Sequence, residues 1–345
     1  NAQLQPALLL NHSFSSRSAM RVELAAALLL ARWGWALQVR KPNACNGVGG
    51  SWVWNAAKDA AEYYNVSEEK DGQVKHDQER FVPTPEVPFL RAFMWEWKPK
   101  DPACAFSKMS LRTFCAAMEL HGLTRFMMVG DSLTFLMAES FWGLLHQPGG
   151  VGLQGYLEHN IRCPQGDVLF TCTRNDDLDN TTEDGDLLHS SWWGQFVDSP
   201  HPTLLLANTG LHSHSQEDFQ GKFDSFVERL ESFSAQRRKD QLYFRLPIPG
   251  HEECWKYDEP LKSAADFKLD GPMAESYAWN LVPAYNKYVF EKLASLTVRL
   301  QVLDAYELTI LRPDGHRGYI GDCLHYCLPG VVDWWNHLLV TLLRS

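Results

Sequence analysis

The sequence predicts an α/β fold: a three-layer α/β/α sandwich on a mainly parallel sheet, preceded by an irregular, disulfide-pinned lobe. Two observations carry that expectation. From about residue 125 onward, short apolar runs alternate with longer amphipathic stretches, and strand–turn–helix alternation is the repeating unit of a parallel sheet. Between Cys45 and Cys115, by contrast, Gly, Pro and Trp are frequent and hydrophobic periodicity is weak, so disulfides rather than regular packing would hold that stretch.

The elements follow in order. RFMMVGDS (125–132) is an apolar strand that ends in a Gly-Asp-Ser turn, and LTFLMAESFWGLL behind it has helical spacing. DVLFTCT (167–173) and TLLLANTG (203–210) are further strands, and SQEDFQGKFDSFVERLESFSAQRRKD is a long amphipathic helix. QLYFRLP (241–247) is a strand, and AESYAWNLVPAYNKYVFEKLASL reads as one helix with Pro283 inside it. RLQVLDAY (299–306) is the last strand and VVDWWNHLLVTLL the closing helix. The chain therefore divides into a leader (1–44), the irregular lobe (45–115) and a catalytic domain (116–345). In the leader, MRVELAAALLLARWGWALQ has the basic start and short apolar run of a signal peptide or weak membrane anchor. Glu23 and Arg32 bracket that run, which falls short of the roughly 20 residues of a membrane helix. A short buried helix is the other reading.

Composition narrows the function classes. The 32 Lys+Arg against 42 Asp+Glu, a net charge of -10, leave no basic stripe and exclude a nucleic-acid binder. Thirteen tryptophans suit both core packing and platforms for sugar rings. Eight cysteines with no CxxC pair fit a disulfide framework, and hence an oxidising compartment. Sequons at Asn11, Asn65 and Asn180 point the same way.

Ligand sites of open parallel sheets lie at the carboxyl ends of the strands. Three such ends carry reactive polar residues: Gly130-Asp131-Ser132, Asn208-Thr209-Gly210, and the segment after Asp304 that leads to Asp322-Cys323-Leu324-His325. A serine hydroxyl needs a base to accept its proton and donors to stabilise an oxyanion. Ser132 sits where a strand hands over to a helix, so its own N–H and the helix dipole could face that oxyanion. Asp322 and His325, three apart, would fall on one side of a single turn, with the carboxylate holding the imidazole. Asn208 could donate its amide to the same oxyanion. A metal held by Cys323, His325 and Cys327 is disfavoured by their crowding, and disulfides from Cys323 and Cys327 to upstream cysteines are expected instead. His212 and His214 read as flexible-loop residues. Arg245 and His251 stay open between substrate contact and core, and Trp334, Trp335 and Asn336 between core and sugar subsite.

The Gly-Asp-Ser turn, the Asn-x-Gly block and the late Asp-x-x-His together resemble the SGNH or GDSL hydrolase superfamily. DCLHYCLPGVVDWWNHLL narrows this: it is similar to the closing motif DCxHWCLPGxxDxWN of the trichome birefringence-like and PC-esterase proteins. LDAYELTILRPDGHRGY, YFRLPIPGHEECW, ANTGLH and, loosely, CNGVGGSWVWN resemble their other blocks. The resemblance implies O-acetylation of a cell-wall or secreted polysaccharide through an acyl-serine, in the Golgi lumen or outside the cell. By motif, Ser132 would be the nucleophile, His325 the base and acid, Asp322 the orienting carboxylate and Asn208 an oxyanion donor, within the block of Gly130 and Asp131. Arg174 and Asn175, in FTCTRND, would form another wall. The resemblance further implies an acetyl donor such as acetyl-CoA as co-substrate and a polysaccharide or oligosaccharide acceptor, with no bound cofactor or metal expected; the leader would serve as a membrane anchor if it is not cleaved. Departures are Tyr326 in place of a tryptophan and the missing paired tryptophans after Asn208-Thr209-Gly210. A carbohydrate esterase with the same triad is the alternative, and a non-catalytic glycan-binding module a third reading.

Overall fold

A computed structural model describes residues 45–58, 92–147, 156–179, 188–233, 235–317 and 321–345. The leader with its signal-peptide or anchor reading, and all three sequon asparagines, lie outside the described residues. Among the described residues no helix is long and apolar enough to cross a membrane.

Strands β1 (Gly50–Trp54) and β2 (Trp95–Pro99) pair antiparallel in the lobe. Helix α1 (Leu111–His121), β3 (Arg125–Gly130), α2 (Ser132–Leu144), β4 (Tyr156–Ile161), β5 (Val168–Arg174) and β6 (Thr203–Ala207) follow. Then come α3 (Gln216–Phe233), β7 (Gln241–Arg245), α4 (Val282–Leu293) and β8 (Leu300–Leu303). A two-stranded ribbon of β9 (His316–Arg317) and β10 (Asp322–Tyr326) and the closing helix α5 (Val331–Leu343) complete the chain. The central sheet has the order β4-β5-β3-β6-β7-β8, with β4 antiparallel at its edge and the other neighbours parallel. β3 lies where the order reverses, so its carboxyl end opens onto the crevice that such sheets use for ligands.

Alternation along β3 explains why its sequence is apolar throughout. Phe126 and Met128 pack with Phe114 of α1, Phe141 of α2 and Leu339 of α5. Met127 and Val129 pack on the opposite face with Phe219 and Phe223 of α3 and Tyr285 of α4. A strand covered on both faces reads as a continuous hydrophobic run. Helix α2 is buried almost all round, because the sheet lies on one side and α5 on the other. Buried polar groups fix the two helices in register: Ser140 Oγ donates to Asp333 Oδ1 at 2.6 Å, and Asn336 Nδ2 donates to Met137 O and Ser140 Oγ, each at 3.0 Å. Trp334, Trp335 and Asn336 are therefore packing residues, and no sugar subsite.

Two elements differ from the sequence reading. The long helix around Pro283 is broken: a short turn over Pro272–Ser276 precedes a separate α4, with Pro283 in its first turn. There its missing N–H costs nothing, whereas in a helix interior it would remove a hydrogen bond and clash. Helix α1 runs through the border at residue 115, so regular structure begins before the catalytic-domain boundary read from sequence. The lobe is tied down by Cys45–Cys104 and by Trp52, whose Nε1 donates to Leu308 O at 2.8 Å beneath the guanidinium of Arg312.

Candidate active site

At the end of β3 the backbone turns at Gly130, with φ +155. A Cβ there would sit 2.5 Å from Thr134 Oγ1 and 2.6 Å from Asn208 O, so only glycine fits this turn. Asp131 then caps α2, its Oδ1 accepting from Leu133 N at 3.0 Å and Thr134 N at 3.3 Å. Ser132 is thereby the first residue of α2, at the positive end of the helix dipole.

The other half of the site comes from β10. His325 Nε2 lies 2.8 Å from Ser132 Oγ, and His325 Nδ1 lies 2.9 Å from Asp322 Oδ2. Asp322 Oδ1 accepts from the backbone N–H of Leu324 at 3.1 Å and of His325 at 3.0 Å. The expected single turn is thus an aspartate-closed turn inside an irregular strand: the pairing of β10 with β9 shifts register between Asp322 and Tyr326. Burial pushes the Asp322 carboxyl upward, but the hydrogen bond and charge of His325 and the two backbone donors outweigh it. The net result is a carboxylate held well below its ordinary range, with its charge fixed on Nδ1 of the imidazole. That leaves Nε2 free to accept the Ser132 proton.

A disulfide Cys254–Cys323 anchors this turn from one side. Cys327 departs from expectation: it is unpaired and buried, its Sγ donating to His316 O at 3.4 Å. Burial pushes its thiol up to about 12, which leaves it protonated and inert. Cys172 is likewise unpaired, on the core-facing side of β5, while Cys115 and Cys163 form the third disulfide.

Comparison with known proteins bears on this arrangement. Residues 212–342 match PC-Esterase, the GDSL/SGNH-like acyl-esterase family found in Pmr5 and Cas1p. Over that segment, a little over a third of its length, the chain is similar to this family. It is 22% identical to protein trichome birefringence-like 20 of Arabidopsis thaliana, over 87% of this chain and 72% of that one. It is 24% identical to trichome birefringence-like 38 of the same plant, over 88% and 85% of the two chains. A shorter stretch of 66 residues is 44% identical to xyloglucan O-acetyltransferase 1 of A. thaliana, covering 15% of this chain and 16% of the other. The family match spans Asp322 and His325, while Ser132 lies ahead of it.

The remaining predicted site residues are not brought to the serine as expected. Asn208 is buried, and its amide donates to Arg245 O at 2.9 Å and Thr209 O at 3.4 Å, while its Oδ1 accepts from Arg245 NH2 at 2.6 Å. Both amide hydrogens are committed within the protein, so Asn208 does not offer its amide to the serine as expected. Asn175 is also spent on structure: its Nδ2 donates to Asp179 O at 3.2 Å and Ser190 O at 3.1 Å, and its Oδ1 accepts from Asp179 N at 3.0 Å. Arg174, level with Gly130 across the parallel pair, forms a two-pronged ion pair with Asp176, which also meets His212 Nε2 at 3.2 Å. Burial raises the Asp176 carboxyl against the pull of Arg174 and His212. His212 is therefore a paired rim residue rather than a flexible one. Arg245 belongs to the core: it is fully buried, reaches Asp131 Oδ1 at 3.4 Å, and stacks over Trp335.

Sequence reasoning missed His316, and left His251 undecided. Both are buried behind the aspartate–histidine turn, and a lone histidine in a loop gives no pattern by which to find it. Among the described residues no cluster of His, Cys, Asp and Glu is arranged to hold a metal ion.

Proposed function

We propose that this chain is a polysaccharide O-acetyltransferase working through an acyl-serine at Ser132. The observation that carries the reading is the hydrogen-bonded line from Asp322 through His325 to Ser132 at the reversal point of the sheet. Similarity to xyloglucan O-acetyltransferases of Arabidopsis thaliana and Populus trichocarpa supports the substrate class. In the first half-reaction Ser132 Oγ attacks the acetyl carbonyl of the donor as His325 Nε2 takes its proton. The carbonyl electron pair becomes an oxyanion beside the Ser132 N–H, then collapses and expels the donor group, which leaves with the proton from His325. In the second half-reaction His325 deprotonates a glycan hydroxyl, which attacks the acetyl-serine; the proton returns to Ser132 as the acetylated glycan leaves. Asp322 stays ionised throughout and stabilises each imidazolium.

Acetyl-CoA is the donor to test first, as a co-substrate rather than a bound cofactor, and a neutral glycan is the acceptor. Three disulfides fit folding in an oxidising compartment, hence the secretory pathway with the Golgi lumen as the working location. A second reading, a carbohydrate O-acetyl esterase, is favoured by one feature. The side chains of His325 and Asp322 are 28% and 25% exposed, which leaves water a route to the acyl-enzyme. Incubation with isotopically labelled acetyl donor and a panel of neutral glycans separates the two. Label on the glycan supports transfer, label only in free acetate supports hydrolysis, and unchanged turnover by a folded Ser132→Ala variant refutes both.

A further inference from the structure

Behind the candidate triad lies a line of hydrogen bonds that no step of the acyl-transfer reading uses. His251 Nε2 is 2.8 Å from Ile310 O, His251 Nδ1 is 2.7 Å from His316 Nε2, and His316 Nδ1 is 3.1 Å from His325 O. Both rings are buried, at 2% and 5% exposure. A carbonyl only accepts, so Ile310 O requires a proton on His251 Nε2, and His325 O requires one on His316 Nδ1. Those two protons are all that two neutral imidazoles carry. The inner nitrogens would then face each other at 2.7 Å as two lone pairs, which is repulsive. A third proton between them resolves the conflict and gives the pair one positive charge.

We propose that His251 and His316 share this third proton as a charged imidazole pair, and that the pair is the positioning element holding His325 toward Ser132. The bracing is direct. The backbone N–H of His251 donates to Cys323 O at 3.0 Å, and the His316 ring holds His325 O, so the turn between Asp322 and His325 is gripped at two carbonyls. The His316 ring also stacks on Tyr326, with ring centroids 4.0 Å apart. The groups facing the pair are the ion-paired Arg312 and Asp314, the carboxylate of Asp322, the imidazole of His325 and the neutral phenol of Tyr326. Burial opposes the charge, pushing His251 down to about 4 and His316 in the same direction, and the Arg312 guanidinium near His251 and the His325 imidazole near His316 oppose it as well. The Asp322 carboxylate and three hydrogen bonds favour it. Loss of the third proton would force one ring to turn and release a carbonyl, and the arrangement observed has released neither.

The positioning role rests on the triad reading, and two measurements keep the two apart. Nitrogen-15 NMR of histidine-labelled wild-type protein counts protonated ring nitrogens without reference to activity. The expected result is three protons across these two rings near neutral pH, one of them strongly deshielded and slow to exchange. Two neutral rings under those conditions would overturn the shared proton. Hydrolysis of p-nitrophenyl acetate then tests position. His316→Phe should lower kcat roughly tenfold to a hundredfold with KM nearly unchanged. His316→Asn, whose Nδ2 can still donate to His325 O, should recover most of that loss. Equal losses in the two folded variants, or a loss confined to KM, would overturn the positioning role. Undiminished hydrolysis by Ser132→Ala would overturn the triad and the positioning role together, while the proton count still decides the pair.

Discussion

Arg245→Met is the substitution that most directly probes how the serine turn is held. Arg245 and Asp131 are both fully buried, and NH2 of the arginine approaches Asp131 Oδ1 at 3.4 Å and Asn208 Oδ1 at 2.6 Å. Asp131 cannot turn to water, and among the described residues its Oδ2 has no hydrogen-bond partner. At an effective permittivity of about 20, a pair separated by 3.4 Å attracts by about 5 kcal/mol. The capping N–H groups of Leu133 and Thr134 still stabilise the carboxylate after the cation is gone, so the net cost should be about 3–5 kcal/mol. Methionine preserves much of the volume over Trp335, which keeps a cavity effect from dominating. Urea unfolding of the oxidised protein, followed by tryptophan fluorescence, measures the loss as a lowered midpoint at unchanged slope. Asp131→Asn removes the orphaned charge while keeping a capping side chain. The double variant should therefore be more stable than the sum of the single losses predicts, by at least about 1 kcal/mol. A loss below about 1 kcal/mol for Arg245→Met, or strict additivity of the pair, would refute a buried charge balance at this turn.

Asp322→Asn keeps an oxygen for the N–H groups of Leu324 and His325 but no longer favours a proton on Nδ1, so kcat should drop roughly a thousandfold or more; a loss below tenfold excludes the carboxylate as orienter. His337 is buried with its Nδ1 accepting from Met109 N at 3.0 Å, and burial, then Lys108 and Lys58, hold it well below its ordinary value. Between that value and about 6.5 only the unfolded chain binds the proton, so stability should fall by up to about 1.4 kcal/mol per pH unit below pH 6.5; His337→Asn should flatten that slope, and parallel curves would refute it. Alkylation in denaturant without reductant should label only Cys172 and Cys327, and label on Cys254 or Cys323 would break the assigned pairing. Removing Cys254–Cys323, whose partners are 69 residues apart, should cost about 4 kcal/mol on the chain-entropy account, read as a urea midpoint shift.

What the sequence made legible depended on how many constraints each segment obeys at once. β3 is covered on both faces and ends in a turn only glycine can make, so its apolar run and Gly130-Asp131-Ser132 announce strand, turn and helix start together. Helix α1 carries equally local signals, a Ser110 cap bonded to Thr113 N and a left-handed Gly122 at its end, and these were masked by the irregular stretch around it. β4 is an edge strand with exposed and half-buried residues in alternation, so YLEHNI has no apolar run to detect. Asn208 shows a different limit. Its place at the end of β6 was legible, but the direction of its amide depends on Arg245, which is 37 residues away in the chain. Position follows from the topology of a parallel sheet, whereas side-chain orientation follows from partners that only the packed fold supplies.

The segment DCLHYC shows this most sharply. In a regular strand, alternation would put Cys323, His325 and Cys327 on one face and Asp322 on the other, so the carboxylate could not meet the imidazole. The two do meet at 2.9 Å, which requires the alternation to fail between them. It fails where the register between β9 and β10 shifts, and the carboxylate itself stabilises the break by capping the N–H groups of Leu324 and His325. The same break separates the cysteines. Cys323, within the shifted stretch, joins Cys254, while Cys327, beyond it, turns inward to His316 O. Two cysteines that look equivalent in sequence therefore have different roles, one a covalent anchor and one a buried filler.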